Sequence, residues 1–450
     1  MKALPYQKTG VRRIEEMQGR GLIAADPGLG KTAMAAWLLK RNPTWLPAII
    51  VCPAAVKYQW EHELLQVAGM RASVLEGTRP SKPGAFDHPP SLVVVNYDIL
   101  KAWKKWIAAL APNTVVVDEV QYIANERTQR TRAVKTICKD VEHVIGLSGT
   151  PLVNRPMELF PGLQILRPDV FNSRWDFGQR FCGAELTPWG WLFKGSNNEQ
   201  ELHDLLTSTC MVRYRKSDVL EDLPNKHREV VVLPMRRPEE YEQAQLNFID
   251  WLRRQDPAKA VSAGRAEQMT KVGYLLRLAA RLKLRYAVEW INGFLADSDE
   301  KLVVFAVHKK AISALKRRCN SGSVVIDGGT PAKTRRNIIR QFRDDSRTRL
   351  LIGNIRAAGT GLDGMQAASN VAFVEMPWHP GASTQAEDRV YRIGTTKDVF
   401  CWYLVARNSA EVMLCRLLQR KQGVISSVLD GGPGDNDLNI YTQLIKEMQK

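Results

Sequence analysis

Short apolar runs separated by helical stretches recur along the first half of the chain. Each run stops at a polar or glycine-containing turn, and the four clearest are Ala48–Val51, Leu92–Val95, Val115–Val117 and Val144–Leu147. Helical periodicity fills the intervals, as at Lys31–Lys40 and Val56–Val67. Strands buried on both faces read as continuous apolar runs, and their alternation with helices predicts a doubly wound parallel sheet.

The second half repeats this pattern and predicts a second parallel sheet. Its apolar runs are Lys301–Ala306, Val324–Ile326, Leu350–Ile352, Val371–Val374 and Cys401–Val405. Between the two halves, Pro156–Met211 is rich in aromatic and loop residues, and Pro238–Leu295 combines helical periodicity with many basic residues. We predict helical additions there. Thr78–Ser91 and Asp430–Asp437 have the composition of loops.

Length and charge narrow the class of protein. A chain of 450 residues exceeds what one hydrophobic core usually supports, which favours two α/β domains. Lysine and arginine total 64 against 47 aspartate and glutamate, a net charge of +17 that favours a polyanionic partner, with nucleic acid first. The seven cysteines form no Cys-x-x-Cys pair, which favours a reduced, intracellular setting. No apolar run approaches the ~18 residues of a membrane span, so no membrane partner is expected.

A phosphate-binding loop is predicted at Ala25-Asp-Pro-Gly-Leu-Gly-Lys-Thr32, because this segment follows the apolar run Leu22–Ala24 and opens a helix. Glycines let backbone N–H groups turn toward phosphates, the lysine reaches the β and γ oxygens, and the threonine ligates Mg²⁺. The predicted ATP contacts in the loop are Asp26, Pro27, Gly28, Leu29, Gly30, Lys31 and Thr32.

A second strand ends in two carboxylates, at Val115-Val-Val-Asp-Glu119. Carboxylates at the carboxyl end of a parallel strand project into the crevice where ligands bind. Asp118 is predicted to hold Mg²⁺, directly or through water, and Glu119 to polarise the attacking water as general base.

These motifs resemble those of superfamily 2 helicases of the Swi/Snf type. Asp118-Glu-Val-Gln121 resembles motif II, and Leu147-Ser-Gly-Thr-Pro151 is similar to motif III. Leu4-Pro-Tyr-Gln-Lys-Thr-Gly10 resembles the element that reads adenine, which implies that Gln7 bonds the base. Two further segments, Val51-Cys-Pro53 with Trp60 and Val95-Asn-Tyr-Asp98, are similar to motifs Ia and Ib.

The most diagnostic segment of the first half is Val212-Arg-Tyr-Arg-Lys-Ser-Asp-Val-Leu-Glu-Asp-Leu-Pro-Asn-Lys226, which resembles the Arg-x-x-Lys-x-Asp-Val composite of Swi/Snf ATPases. Lys301–His308 resembles motif IV, and Gly359-Thr-Gly-Leu-Asp363 resembles motif V, which implies an ATP contact for Gly361. Gln385-Ala-Glu-Asp-Arg-Val-Tyr-Arg-Ile-Gly394 resembles motif VI, closest in type to the annealing-helicase group.

Motif VI implies that Gln385 contacts ATP and that Arg389 and Arg392 are arginine fingers. Their spacing of three predicts one face of a short helix. The resemblance implies that Gln121, Ser148 and Thr150 link ATP hydrolysis to DNA engagement. Motif II carries Gln121 where the family usually has His, a departure that alters one contact of this link, although glutamine can still donate and accept hydrogen bonds.

The resemblance implies an α/β fold of two RecA-like doubly wound parallel-sheet lobes with helical insertions. The expected domains are lobe 1 over residues 1–230 with an insertion near 156–211, lobe 2 over 231–430 with an insertion near 238–295, and a tail over 431–450. It implies ATP and Mg²⁺ as cofactors, and a monomer that moves on duplex DNA without reading its sequence. A bare motor of this kind is expected in the cytoplasm of a prokaryotic or virus-infected cell, or in a eukaryotic nucleus.

The DNA contacts that the resemblance suggests are Lys57, Lys309, Arg356 and Thr360, each of which also suits a solvated surface position. Trp189-Gly-Trp191 with Lys194 fits core packing beneath a loop or stacking on a base. Two other functions stay open: a strand-separating helicase with a wedge near Pro188–Gly195, and a DNA-binding module that hydrolyses ATP poorly because of Gln121.

Overall fold

A computed structural model describes residues 3–80, 90–188, 190–220, 223–246, 267–319, 322–355, 364–432, 441–442 and 444–448. The chain divides into two compact units. The first unit comprises Met1–Asp222 and Gly423–Gly434, and the second comprises Leu223–Gln422 and Asp435–Lys450. The domain bounds expected from the sequence stay predictions.

The first unit is built on a seven-stranded parallel sheet in the order β3-β4-β2-β5-β6-β1-β9, with a separate antiparallel hairpin β7-β8. Its strands are β1 (Arg20–Ala25), β2 (Ala48–Cys52), β3 (Ser73–Val74), β4 (Leu92–Asn96), β5 (Thr114–Asp118), β6 (His143–Ser148), β7 (Ala184–Thr187), β8 (Gly190–Phe193) and β9 (Met211–Tyr214). Its helices are α1 (Pro5–Glu16), α2 (Lys31–Arg41), α3 (Lys57–Glu63), α4 (Leu100–Ala109), α5 (Gln129–Ile137), α6 (Phe160–Leu166), α7 (Arg174–Phe181), α8 (Glu199–Thr209) and α9 (Lys216–Val219).

Both faces of this sheet are covered. Along β2, Ile49 and Val51 pack into one hydrophobic core, whereas Ile50 and Cys52 pack into another. Successive side chains of a strand point to opposite faces, so two cores on one strand require helices on both sides. The doubly wound arrangement predicted from the apolar runs is therefore confirmed in the first unit.

The second unit has a six-stranded parallel sheet in the order β10-β15-β14-β11-β13-β12. Its strands are β10 (Lys226–Leu233), β11 (Leu302–Ala306), β12 (Ser323–Ile326), β13 (Leu350–Asn354), β14 (Asn370–Phe373) and β15 (Val399–Ala406). Its described helices are α10 (Pro238–Leu246), α11 (Glu267–Asp297), α12 (Lys309–Arg318), α13 (Ala332–Asp344), α14 (Pro380–Glu387) and α15 (Glu411–Asp430), of which the part from Gly423 onward belongs to the first unit. Val303 and Phe305 again face a different core from Val304.

Three elements differ from the sequence predictions. The edge strands β9 and β10 were not predicted. They overlap the start and the end of Val212–Lys226, called the composite segment, where charged residues interrupt the apolar pattern. The insertion near 156–211 holds three helices, as expected, and also the hairpin β7-β8. The helix expected over Val56–Val67 consists of α3 followed by a π-helical turn over Leu64–Ala68.

The end of the chain is also anchored. Tyr441, Leu444 and Met448 are buried in a core of the second unit, whereas Val428 and Leu429 of α15 are buried in a core of the first. None of the described helices has the length and apolar character to span a membrane.

Candidate nucleotide site

The phosphate loop joins β1, which ends at Ala25, to α2, which begins at Lys31. Gly28 and Gly30 have φ angles of 89° and 77°, in the left-handed region that favours glycine. A Cβ atom at Gly30 would lie 2.6 Å from the side-chain nitrogen of Gln7, which would have to move, and the positive φ would strain any other residue there. Among the described residues no side chain caps α2, which leaves its first N–H groups for an anion.

Lys31 folds back over the start of the loop. Its Nζ donates to the carbonyl oxygens of Ala25 at 2.7 Å and Asp26 at 3.3 Å. The positive charge also acts on Asp118, whose pKa it lowers against the larger effects of burial. The lysine thus contacts the loop and acts on the charge of Asp118, as a cation that binds a triphosphate chain would.

Asp118 is the last residue of β5 and Glu119 follows it, so the strand ends in the carboxylate pair as predicted. The indole Nε1 of Trp60 donates to Asp118 Oδ2 at 2.8 Å, and the Tyr97 hydroxyl donates to the Asp118 carbonyl at 2.6 Å. Burial, and then the charge of Glu119, raise the pKa of Asp118 to about 7. Glu119 has φ 55°, a strained conformation for a non-glycine residue that occurs at functional sites.

The residues of the loop and the carboxylate pair fit ATP and Mg²⁺. Divalent magnesium prefers carboxylate and hydroxyl oxygens, which Asp118 and Thr32 can supply. The raised pKa of Asp118 shows that the nearby positive charge does not fully compensate this carboxylate. A bound divalent cation would supply that charge and keep Asp118 ionised.

Gln121 forms a hydrogen-bonded chain with the motif III segment. Its Nε2 donates to Glu119 Oε2 at 2.6 Å, and its Oε1 accepts from the Ser148 hydroxyl at 2.7 Å. The Ser148 oxygen in turn accepts from the Thr150 backbone N–H at 3.0 Å. Because an amide both donates and accepts, Gln121 can bridge the two groups in one orientation of its side chain. With glutamine at this position, a single side chain links Glu119 to Ser148.

The same segment lies against the phosphate loop. Ser148 pairs with Ala24 of β1, since β6 lies between β1 and β5. A Cβ atom at Gly149 would lie 2.9 Å from the ring of Pro27 and 3.3 Å from Lys31 Nζ. A change in the loop can therefore reach Gln121 through atoms in contact.

The composite segment contacts the phosphate loop on the side of β1 opposite to β6. Arg213 donates to Asp26 Oδ1 at 2.7 Å and to Asp430 Oδ1 at 2.8 Å. The other oxygen of Asp26 accepts from the backbone N–H of Lys216 at 3.0 Å. Burial opposes the charge of Arg213, but Asp26 and Asp430 together raise its pKa. Asp430 was not predicted as part of this site, since nothing in its local sequence marks a partner so far away along the chain.

Gln7 is buried beside the loop, where its Nε2 donates to the Leu29 carbonyl at 3.1 Å. Its Oε1 accepts from the backbone N–H of Leu4 at 2.9 Å. The side chain therefore supports the loop backbone in this structure, and its contact with adenine stays a prediction.

The expected DNA contacts have different environments. Lys57 is buried and donates to the Leu75 carbonyl at 2.8 Å, which is the environment of a structural lysine. Lys309 is exposed at the start of α12. Arg356, Thr360 and the motif V residue Gly361 lie outside the described residues, as does Trp189.

In the second unit, the motif VI arginines follow a helix instead of sharing one. α14 carries Gln385 but ends at Glu387, so the short helix predicted to carry Arg389 and Arg392 is wrong. The backbone N–H groups of Arg389 and Val390 bond to carbonyls three residues back, which tightens the winding and ends the regular helix.

Glu387 anchors this segment. It is fully buried and accepts from Arg228 Nη2 at 2.8 Å, Lys226 Nζ at 3.1 Å and the Tyr403 hydroxyl at 2.7 Å. Burial opposes ionisation, but Arg228 and Lys226 hold the pKa of Glu387 far below its ordinary value. The strand β10 thereby fixes the end of α14.

Replacing Glu387 by glutamine is expected to lower the free energy of unfolding by about 2 kcal/mol near neutral pH, because two buried cations lose their counter-charge. The pKa of Glu387 is lower in the folded protein than in the unfolded chain, where it is near 4.5. Its ionised form therefore stabilises the fold fully above pH 4.5, and this stabilisation is lost as the pH falls through the folded pKa. Urea unfolding from neutral pH downward should therefore show the difference between wild type and variant shrinking below 4.5. A difference independent of pH would contradict the ion-pair assignment.

Two parallel-sheet units, the first with a phosphate loop and a carboxylate pair at a strand end, define a two-lobed helicase-like ATPase. A family model for the SNF2-related domain matches residues 6–283, and one for the helicase conserved C-terminal domain matches residues 283–394. The first match spans more than half of the chain, which therefore belongs to the SNF2-related family.

Known relatives agree with the resemblance seen in the motifs. A SWI/SNF-related matrix-associated actin-dependent regulator of chromatin subfamily A-like protein 1 from Xenopus tropicalis is 32% identical over 94% of this chain and 44% of the relative. The mouse DNA annealing helicase and endonuclease ZRANB3 is 31% identical over 96% of this chain and 41% of the relative. The chain thus spans less than half the length of these two relatives. The Sulfolobus solfataricus SWI2/SNF2 ATPase core in complex with dsDNA aligns over 100% of this chain and 96% of its own, with a TM-score of 0.46 and 22% identity.

Proposed function

We propose that this chain hydrolyses ATP with Mg²⁺ to move along double-stranded DNA without reading its sequence, and that the movement remodels or reanneals DNA. The observation that supports the proposal best is the link from Glu119 through Gln121 to Ser148, within a chain of the SNF2-related family. This link joins the proposed hydrolytic carboxylate to the motif III segment. Work on DNA requires such a connection between hydrolysis and conformation.

The first unit supplies most of the proposed chemistry. Lys31 and the N–H groups from Gly28 to Thr32 would hold the β and γ phosphates. Asp118 and Thr32 would ligate Mg²⁺, which neutralises charge on the phosphate oxygens when bound. Glu119 would accept a proton from the attacking water, and its hydrogen bond from Gln121 would orient it for that water.

The roles of the second unit come from the family resemblance. Arg389 and Arg392 are proposed to stabilise the charge that develops during phosphoryl transfer. Gln385, Gly361 and, from the first unit, Gln7 are proposed further contacts for ATP. Gln121, Ser148 and Thr150 are the proposed coupling residues.

DNA as the partner rests on charge and family. The net charge of +17 suits phosphate contacts that do not depend on sequence. A relative is named a DNA annealing helicase. We propose a monomer that acts where DNA is present, in the cytoplasm of a prokaryotic or virus-infected cell or in a nucleus.

Steady-state ATP hydrolysis tests the proposal when measured without nucleic acid and with single-stranded DNA, duplex DNA or RNA. We expect the strongest stimulation with duplex DNA, and a stimulation that weakens as salt rises. Stronger stimulation by single strands together with unwinding of a forked duplex would support a strand-separating helicase instead. DNA binding without turnover would support a nucleotide-gated DNA-binding module.

Replacing Gln121 by alanine is expected to lower DNA-stimulated turnover about tenfold, because Glu119 loses its orienting hydrogen bond and such a bond contributes on the order of 1.4 kcal/mol. Gln121→His should stay within roughly threefold of wild type, since a histidine can still donate to Glu119. Turnover rates with saturating duplex DNA would check both variants. Wild-type turnover in Gln121→Ala would remove this residue from the coupling set.

A further inference from the structure

The hairpin β7-β8 places large apolar side chains on one of its faces. Leu186 of β7 pairs with Trp191 of β8, and Ala184 pairs with Phe193. Residues two apart on a strand share a face, so all four side chains lie on the same side of the hairpin. With Trp175 of α7 they form what we call the aromatic hairpin face.

The end of this face at Phe193 packs against α7, whereas the end near the hairpin turn is exposed to solvent. At the base, the Phe193 ring packs so closely on α7 that a Cβ atom at Gly178 would lie 2.8 Å from it. Trp175 contacts Phe193 and Trp191 edge to face, with ring centroids 5.6 and 5.3 Å apart. Exposure is 46% for Trp175 on α7 and, toward the hairpin turn, 43% for Trp191 and 67% for Leu186. Packing therefore holds the rings in place without burying them.

Arg174 adjoins the aromatic hairpin face and connects it to a cavity lined by further arginines. The Arg174 guanidinium lies 5.6 Å from the centroid of the Phe193 ring and 3.3 Å from Glu126. Arg174 also lines a cavity of about 360 Å³ together with Arg127 and Arg155. Arg127 is exposed, and its guanidinium makes no hydrogen bond or ion pair with the part of the chain that the structure describes.

The acidic residues of the cavity are already engaged. Glu126 pairs with Arg174, and Glu158 accepts from the backbone and side chain of Asn154 and lies 3.9 Å from Arg155. The guanidinium of Arg127 is therefore available in this cavity to bind an anion from solvent. An open aromatic surface beside such a cation suits a ligand that has both a flat apolar face and a negative charge.

Unpaired nucleotides have this chemistry. Their bases stack on tryptophan in any sequence, and their phosphates bind arginine. A duplex hides its base faces within its own stack, so a surface for duplex alone needs only phosphate contacts. Half-exposed, rigid tryptophans in a protein with a charge of +17 therefore favour single-stranded nucleic acid over an apolar protein partner.

We propose that the aromatic hairpin face, with Arg127 and Arg174, binds unpaired nucleotides of the DNA on which the motor acts. Bases stack on Trp191 and Trp175, and phosphates lie next to the arginines. The inference rests on the proposed DNA-dependent function and deepens it, because it adds a single-strand contact to the tracking of duplex.

The test compares the affinity of the full chain for a blunt DNA duplex and for the same duplex with a single-stranded thymidine tail. Loss of one stacked base corresponds to about 5- to 150-fold in affinity. Trp191→Leu, which keeps the apolar volume but not the aromatic face, should weaken binding of the tailed duplex by that factor and of the blunt duplex less than about twofold. Trp191→Phe should recover most of the loss, since phenylalanine can stack.

Two further variants complete the test, one outside the hairpin and one on its opposite face. Arg127→Gln should weaken binding of the tailed duplex and reduce the slope of log affinity against log salt by about one. Leu192→Ala, on the opposite face of β8, is the matched control and should leave the ratio of the two affinities unchanged.

The outcomes separate this inference from the proposed function. The single-strand contact would be overturned if Trp191→Leu weakened binding of the tailed and the blunt duplex equally. It would also be overturned if the variant bound both duplexes like wild type, and this result would favour a protein partner for the face. If duplex DNA still stimulates hydrolysis in that case, the motor function stands. If no DNA binds or stimulates the wild-type protein, the proposed function fails as well.

Discussion

Replacing Glu119 by glutamine is expected to lower kcat for ATP hydrolysis about 10²- to 10⁴-fold, the usual contribution of a positioned general base. Glutamine keeps the shape of the side chain but cannot accept a proton from water. The hydrogen bond from Gln121 and the left-handed conformation at Glu119 hold this carboxylate at the end of β5, beside Asp118. Steady-state turnover with saturating ATP and duplex DNA measures the effect.

The nucleotide should still bind to this variant, because Lys31 and the loop backbone are unchanged. ATP affinity and thermal unfolding would show whether binding and folding are retained. Glu61→Gln, an exposed carboxylate on α3, serves as the matched control and should hydrolyse ATP like wild type. Turnover by Glu119→Gln that equals the control would assign the general base to another group.

Replacing Arg213 by methionine is expected to destabilise the first unit by about 3–5 kcal/mol, because two carboxylates lose their buried partner. The side chain of Arg213 is 16% exposed, and those of Asp26 and Asp430 are 24% and 12% exposed. Urea unfolding measures the free energy of unfolding, and hydrogen exchange of the backbone amides of β1 and β9 shows whether the loss of stability lies in the first unit. Since Asp26 belongs to the phosphate loop, KM for ATP should rise in the same variant.

Arg41→Met is the matched control for Arg213. Arg41 also pairs with a carboxylate, that of Glu15, but its side chain is 63% exposed, so this change should lower the free energy of unfolding by less than about 1 kcal/mol. Asp430→Asn introduced into Arg213→Met should restore part of the lost stability, because one uncompensated charge is removed. Equal effects of Arg213→Met and Arg41→Met would show that the bridge between Asp26 and Asp430 contributes little.

The bridge gives the composite segment a physical role. A sequence comparison marks Arg213 only as part of a pattern, whereas the structure shows that it joins the phosphate loop to the last residue of α15. The segment Gly423–Gly434 lies in the first unit, although the residues before and after it belong to the second. The candidate nucleotide site of the first unit is therefore supported by residues that lie far apart along the chain.

The sequence by itself determined the two parallel sheets, the phosphate loop and the carboxylate pair. These features are local: a run such as Val115–Val117 is apolar because both of its faces are buried, and Gly30 stands where the loop needs a positive φ. Each leaves its signal within a few residues. The family could be predicted for the same reason, because the motifs are short and their order along the chain is visible.

Only the tertiary structure decided the features that depend on distant partners. The hydrogen bond from Ser148 to Gln121 forms because β6 brings Ser148 next to the end of β5, and Asp430 reaches Arg213 only through the path of α15. The Arg389–Arg392 helix was wrong and the hairpin was missed, because turn geometry and short strands are set by packing more than by periodicity. Local patterns record which face of an element is buried, whereas hydrogen bonds across hundreds of residues are recorded only in the folded chain.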